Sequence, residues 1–223
     1  FAAVSLADVF PAIDRTATYS FAASNALATQ ISNGAPADVF ASANTTIPAQ
    51  LYAAGLVERP VNFTRNTLVI VVPRSNPANI HDIYDLTADG ITVDIAAPAV
   101  PIGAYTLQVL RQMGLVQKVL ANVVSQDTDV RAVLSKVALG QVDAGFVYAT
   151  DARTAAGDVT VIKVPAWAQP KITYAMAVVA RSPNRAAAQA FLRKVTSKSG
   201  QAALARYGFL PLPRPVAAAP AML

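Results

Sequence analysis

Thr67-Leu68-Val69-Ile70-Val71-Val72-Pro73 is an unbroken apolar run closed by a proline, and it reads as a strand buried on both faces. A second run of the same kind, Ile172 to Ala180, stands far along the chain. Between and around them short β-rich runs alternate with helical patterns, the signature of an α/β protein with mostly parallel sheets. Before the first run, strands are expected at Phe1-Ala2-Ala3, Thr18–Ala22 and Ala37–Ala41. A helix is expected over 25–32, with Ser24 as candidate N-cap and Asn33-Gly34 as its end. After the first run the style repeats. Strands are expected at Ile91–Ile95, Ala121–Val124, Ala144–Tyr148 and Val159–Val164, with helices over 103–113 (ended by Gly114) and 130–139 (capped by Asp129, ended by Gly140). Two final helices are expected, over 184–196 and 199–207.

Two similar blocks joined by two long apolar strands predict two lobes with a pair of hinge crossings. Residues 1–75 form the first part of lobe 1, residues 76–171 form lobe 2, and residues 172–223 return as the second hinge strand and the last helices of lobe 1. The Pro- and Ala-rich stretch from Pro211 is expected to be loosely attached. A single doubly wound sheet is the alternative, but about nine strands is broad for a sheet in a chain of 223 residues. Hinge closure around a ligand is the motion that two crossings imply.

Composition removes several function classes. The chain has no cysteine, so disulfides, thiol nucleophiles and thiolate metal sites are excluded. Its one histidine, His81, sits in Asn79-Ile80-His81-Asp82 without a G-x-S-x-G elbow, which reads as a solvated turn rather than a catalytic base. One histidine also argues against a histidine-based zinc site. The net charge of +5 comes from 18 Lys and Arg against 13 Asp and Glu. These are spread along the chain without aromatic interleaving, so no nucleic-acid partner is expected. No apolar run approaches the ~18 residues of a membrane span. No charged-then-apolar leader opens the chain, and the expectation is an extracytoplasmic protein whose signal segment is absent from this sequence.

What recurs where chemistry could reside is a strand followed by a small or hydroxylated residue at a helix start. Ser5 follows Phe1-Ala2-Ala3-Val4, Ser24 follows Phe21-Ala22-Ala23, Pro101-Ile102-Gly103 follows Ala96-Ala97-Pro98, and Asp129-Val130 follows Val123-Val124. Helix N-termini present unpaired N–H groups and positive dipole ends, and several converging on one cleft make an anion site. Such turns lie beyond the carboxyl ends of strands, where α/β sheets bind ligands. Taken alone, each serine reads as a helix cap, Tyr148 as a packed strand residue, and Asp127-Thr128-Asp129 as capping rather than a cation loop.

Longer stretches carry a resemblance. Ser20 to Ala28, Gln30-Ile31 and Gly34-Ala35-Pro36-Ala37-Asp38-Val39-Phe40-Ala41-Ser42-Ala43 closely resemble the periplasmic molybdate-binding protein family. Phe1-Ala2-Ala3-Val4-Ser5-Leu6, Asn66 to Pro73, Val100 to Tyr105, Asp129-Val130-Arg131, Gly145 to Ala152 and Arg206-Tyr207-Gly208-Phe209 are similar to the family's later and flanking motifs, in the same order. The resemblance implies a type II periplasmic-binding-protein fold, no catalysis and no cofactor. It implies a monomer that takes molybdate or tungstate, with no metal beyond the oxyanion's own, and delivers it to an ABC transporter permease. It also implies a ligand shell: hydroxyls of Ser5 and Ser24, backbone N–H groups of Ile102 and Val130, and the Tyr148 hydroxyl. The chain departs from the family at Ala96-Ala97-Pro98, where Gly-Asp-Pro is common, and at Ile102, where a small residue is usual. A backbone donor survives that change. A donor-only shell suits a fully deprotonated dianion, whereas hydrogen phosphate would ask for an acceptor. None of the five groups titrates between about pH 6.5 and 8.5, so affinity is expected to be flat there. The alternatives are a sulfate- or phosphate-binding protein and the effector domain of a transcription regulator. An enzyme of the porphobilinogen deaminase type would need the cysteine this chain lacks.

Overall fold

The structure, a computed structural model, describes residues 1–213. Part of the loose attachment expected from Pro211 onward therefore falls outside the described residues.

Two five-stranded sheets carry the fold. In the first block β1 (Ala2–Ala3) leads through a 3₁₀ turn (Val4–Leu6) to α1 (Val9–Ile13). β2 (Phe21–Ala22) then leads to α2 (Ser24–Ser32), β3 (Val39–Ser42) to α3 (Thr46–Ala53), and β4 (Val61–Asn66) closes the block. β5 (Leu68–Pro73) opens the second, followed by β6 (Val93–Ala96), α4 (Pro101–Gln112), α5 (Val116–Ala121), β7 (Val123–Asp127), α6 (Val130–Ala138), β8 (Ala144–Tyr148), α7 (Ala149–Thr154) and β9 (Val159–Lys163). β10 (Ile172–Val178) returns to the first sheet, and α8 (Arg185–Thr196) and α9 (Lys198–Arg206) finish the described chain.

The strand orders are β2-β1-β3-β10-β4 and β7-β6-β8-β5-β9. Each lobe thus repeats one plan: second, first and third strands of the block, then a strand arriving from the other lobe, then the block's last strand. The sheets are mixed rather than mostly parallel. β1 pairs parallel with β2 and β3, and β6 with β7 and β8, but β10 and β5 run antiparallel to both of their neighbours. The cause is the hinge itself: a strand arriving from the opposite lobe enters from the far end of the sheet.

β5 pairs with β8 and β9, so the chain changes sheet at Thr67, one strand earlier than the boundary expected at residue 75. β10, which begins at Ile172, pairs in the first sheet. All of Leu68–Pro73 is buried, which accounts for its continuous hydrophobicity. β4 went unread because it is polar and starts exposed, with the pattern of an edge strand. The two crossings are tied to each other by Gln169, whose side-chain amide donates to the Leu68 carbonyl (2.6 Å) while its oxygen accepts from the Leu68 N–H (3.1 Å).

Candidate functional site

The five residues singled out in the sequence all stand at the carboxyl ends of parallel strands. Ser5 lies in the turn after β1 and Ser24 opens α2 after the neighbouring β2. Ile102 is in the first turn of α4 after β6, Val130 opens α6 after the neighbouring β7, and Tyr148 ends β8 on the other side of β6. All five are buried.

The local chemistry differs from residue to residue. Ser24 is not the cap of α2. Ala23 holds that place, and the Ser24 hydroxyl turns to accept the Ala43 N–H at the end of β3 (3.0 Å), which leaves its proton free to donate. Ser5 shares a 2.9 Å hydrogen bond with the Tyr174 hydroxyl. Asp129 does cap α6, accepting from the Arg131 and Ala132 N–H groups, so the Val130 N–H at that helix start is not consumed by its own cap. Pro101 opens α4 and directs Ile102 into its first turn. The Tyr148 hydroxyl has no hydrogen-bond partner among the described residues. Burial, with the Tyr174 hydroxyl nearby, holds it far above the ordinary phenol range, so it is a donor at every physiological pH.

A polar chain that sequence reasoning missed links the two lobes behind these groups. Tyr174, on β10, packs edge-on against Tyr148 with ring centroids 5.8 Å apart. Asn66 donates to the Tyr174 hydroxyl (3.2 Å) and to Thr150 Oγ1 across the hinge (2.8 Å), while its own oxygen accepts from the Thr67 N–H. Ser5 and Tyr148 are therefore joined through Tyr174, and α6 touches the turn that bears Ser5. Ser24 and Ile102 make their side-chain and carbonyl bonds within their own lobes, to Ala43 and to Thr106. A cavity of about 470 Å³ opens between the lobes beside Ser5, with Asp8, Thr150, Arg153, Arg206 and Phe209 in its walls. The polar position Asn66, directly before an apolar strand, was the one sequence signal for this chain.

Charged groups also gather here. Arg131 pairs with Asp8 of the other lobe, and its Nε lies 3.6 Å from Asp151 Oδ1. Asp151 is buried, and burial, opposed by the Arg131 charge, pushes its carboxyl up to about 7. Asp151 is not one of the five groups of the expected shell, and it is a titratable neighbour that the sequence reading did not consider. His81 sits on an exposed turn, its ring bonded to Asn79 at 3.0 Å.

Residues 14–210 match the family described as bacterial extracellular solute-binding protein. The molybdate-binding protein ModA of Mycobacterium tuberculosis is 39% identical over 94% of this chain and 82% of its own length. The fold matches the Azotobacter vinelandii periplasmic molybdate-binding protein with a TM-score of 0.82 at 23% identity, covering 96% of this chain and 98% of that one. It also matches the sulfate-binding protein SubI from Mycobacterium tuberculosis with a TM-score of 0.81 at 23% identity, covering 96% and 86%. At those identities the structural likenesses speak for the fold alone.

Proposed function

The chain belongs to the molybdate-binding protein (ModA) family of bacterial extracellular solute-binding proteins, and from that premise we propose that it captures molybdate or tungstate between its lobes and hands the anion to an ABC permease outside the cytoplasm. The Ser5, Ser24 and Tyr148 hydroxyls and the Ile102 and Val130 N–H groups form the shell in this reading. One observation carries it: the Tyr148 hydroxyl, buried, without a hydrogen-bond partner among the described residues and held protonated, stands at a carboxyl strand end, as do two serines and two helix starts. A group of donors at helix N-termini stabilises a dianion without any proton exchange. None of the five supplies a carboxylate to accept a proton-borne hydrogen bond, which disfavours hydrogen phosphate.

Titration calorimetry with molybdate, tungstate, sulfate and phosphate tests the reading. Molybdate and tungstate are expected to bind far more tightly than the other two. Preference for phosphate would refute the donor-only shell, and preference for sulfate would move the protein to the other oxyanion class.

Two variants should separate affinity from stability. Tyr148→Phe removes one donor to the anion and should weaken binding by about 1.5–3 kcal/mol while leaving the ligand-free melting temperature unchanged or higher, because the lost hydroxyl has no hydrogen-bond partner among the described residues. Ser24→Ala should cost similar affinity but also lower the melting temperature, since the Ala43 N–H loses its acceptor. Calorimetry and thermal denaturation of both read the contrast. Equal melting behaviour in the two variants would contradict the roles assigned.

A further inference from the structure

Of the ion pairs among the described residues, the Arg131–Asp8 pair is the one that joins the lobes. Lys136 pairs with Asp94 and Asp127 inside lobe 2, and Arg185–Glu58 and Lys194–Asp14 stay inside lobe 1. Asp8 stands at the N-cap position of α1, yet its side chain makes no capping hydrogen bond; its carboxylate is turned across the cleft instead. Arg131 is not a free surface cation either. Behind it lies Asp151, 1% exposed, with neither carboxylate oxygen hydrogen-bonded among the described residues. A buried carboxylate with one cation in reach holds that cation's stem in place. Arg131 directly follows Val130 at the start of α6, and Asp8 follows the turn that bears Ser5. The pair therefore spans the two halves of the proposed shell at its edge.

We propose that Arg131, seated on Asp151, is a closure latch: it pairs with Asp8 when the lobes meet, positions the Val130 N–H opposite Ser5, and slows the departure of the bound anion. This rests on the oxyanion-binding reading for the identity of the anion, but not for the lobe contact itself. An interlobe pair forms only in the closed arrangement, so its free energy biases closure and acts on release rather than on encounter. The guanidinium reaches the two carboxylates through different nitrogens of one rigid plane, Nη2 toward Asp8 and Nε toward Asp151, a spread that the single nitrogen of a lysine does not reproduce.

The absence of cysteine allows one spin label to be placed on each lobe through Ala53→Cys and Lys118→Cys, both on exposed helix positions. Electron–electron distance measurements on the labelled full chain, with and without molybdate, are combined with stopped-flow release of molybdate. In Asp8→Asn, lobe separations are expected to shift to longer values. Release is expected to be about two- to fivefold faster, the effect of one partly exposed pair, with the association rate little changed. Asp8→Glu should restore wild-type behaviour, and Arg131→Lys should not. A merely structural role for Asp8 would lower the melting temperature without moving lobe distances or release. Asp8→Asn with wild-type distances and wild-type release overturns the latch. A wild-type protein whose distances ignore molybdate overturns the oxyanion reading, and the latch is then decided by the ligand-free distances of the two Asp8 variants.

Discussion

Gly103→Ala is expected to cost this protein more than any change to a single ligand hydroxyl. A Cβ at residue 103 would stand 2.2 Å from the Ala97 carbonyl oxygen and 2.4 Å from that of Ala96. Both obstacles are backbone, so no side chain can swing aside. Helix α4 must instead move off the end of β6, and its first turn carries Ile102. The variant should lose about 1–3 kcal/mol of folding stability, the usual penalty of overpacking. Molybdate affinity should fall by an order of magnitude or more, because a displaced helix start withdraws both its N–H and its dipole. Denaturant unfolding of the ligand-free protein, paired with calorimetry, measures the two effects. Wild-type affinity in Gly103→Ala would mean that the α4 start does not bear on the anion.

That contact also shows what the sequence could and could not reveal. Pro101-Ile102-Gly103 was legible as a helix start because a proline at the first position and a preceding strand are local signals. The need for glycine at 103 is not local: it arises from the approach of α4 to Ala96 and Ala97, which only the packed lobe defines. The same division runs through the fold. Leu68–Pro73 and Ile172–Val178 announced themselves because both are buried almost throughout and carry no polar alternation. β1 and β2 fall inside the strands expected at Phe1-Ala2-Ala3 and Thr18–Ala22 but are only two residues each, while α1, α5 and α7 are too short for a helical period to register. The position of the sheet change depends on which strands β5 pairs with, and no periodicity encodes that.

At the site, the residue types of the proposed shell are visible because hydroxyls and helix starts recur after strands. Their settings are not. Ser24 looked like a cap, but the end of β3 arrives from residues 39–42 and claims its oxygen through Ala43. Tyr174 lay inside a run read only as a hinge strand, although its hydroxyl joins Ser5 to Asn66. Asp8, Arg131 and Asp151 are scattered in sequence: Arg131 and Asp151 meet by packing within lobe 2, and Asp8 joins them by lobe contact. Long-range electrostatics of this kind is where sequence reading fails first, because charge has no period.

The second large effect follows from two of those buried acids. Asp151 and Asp94 are each pushed up to about 7, in both cases first by burial. Arg131 opposes the shift at Asp151, where Asp8 and Asp129 add to it. Lys136 opposes it at Asp94, where Asp127 adds to it. In the unfolded chain both carboxyls return to about 4. Below pH 4 both are protonated in either state, and the native state is then under no penalty from them. Between about pH 4 and 7 the unfolded chain releases these protons while the folded protein keeps them, so stability must fall as pH rises. Each group contributes at most about 1.4 kcal/mol per pH unit across that interval, and nothing further above it. Asp14, lowered to about 2 by its bonds to Thr16 and Lys194, acts in the opposite sense but only below pH 4, so it does not mask the trend. Denaturant unfolding of ligand-free protein from pH 4.5 to 7 should therefore show a declining curve; nearer pH 8 the Phe1 ammonium, whose pKa burial lowers, acts in the opposite sense. Asp151→Asn keeps the shape and removes the ionisation, so its curve should decline less steeply by the share of one carboxyl. A variant curve parallel to the wild type at every pH would show that Asp151 is ionised throughout. In that case Arg131 would be seated on a permanent charge.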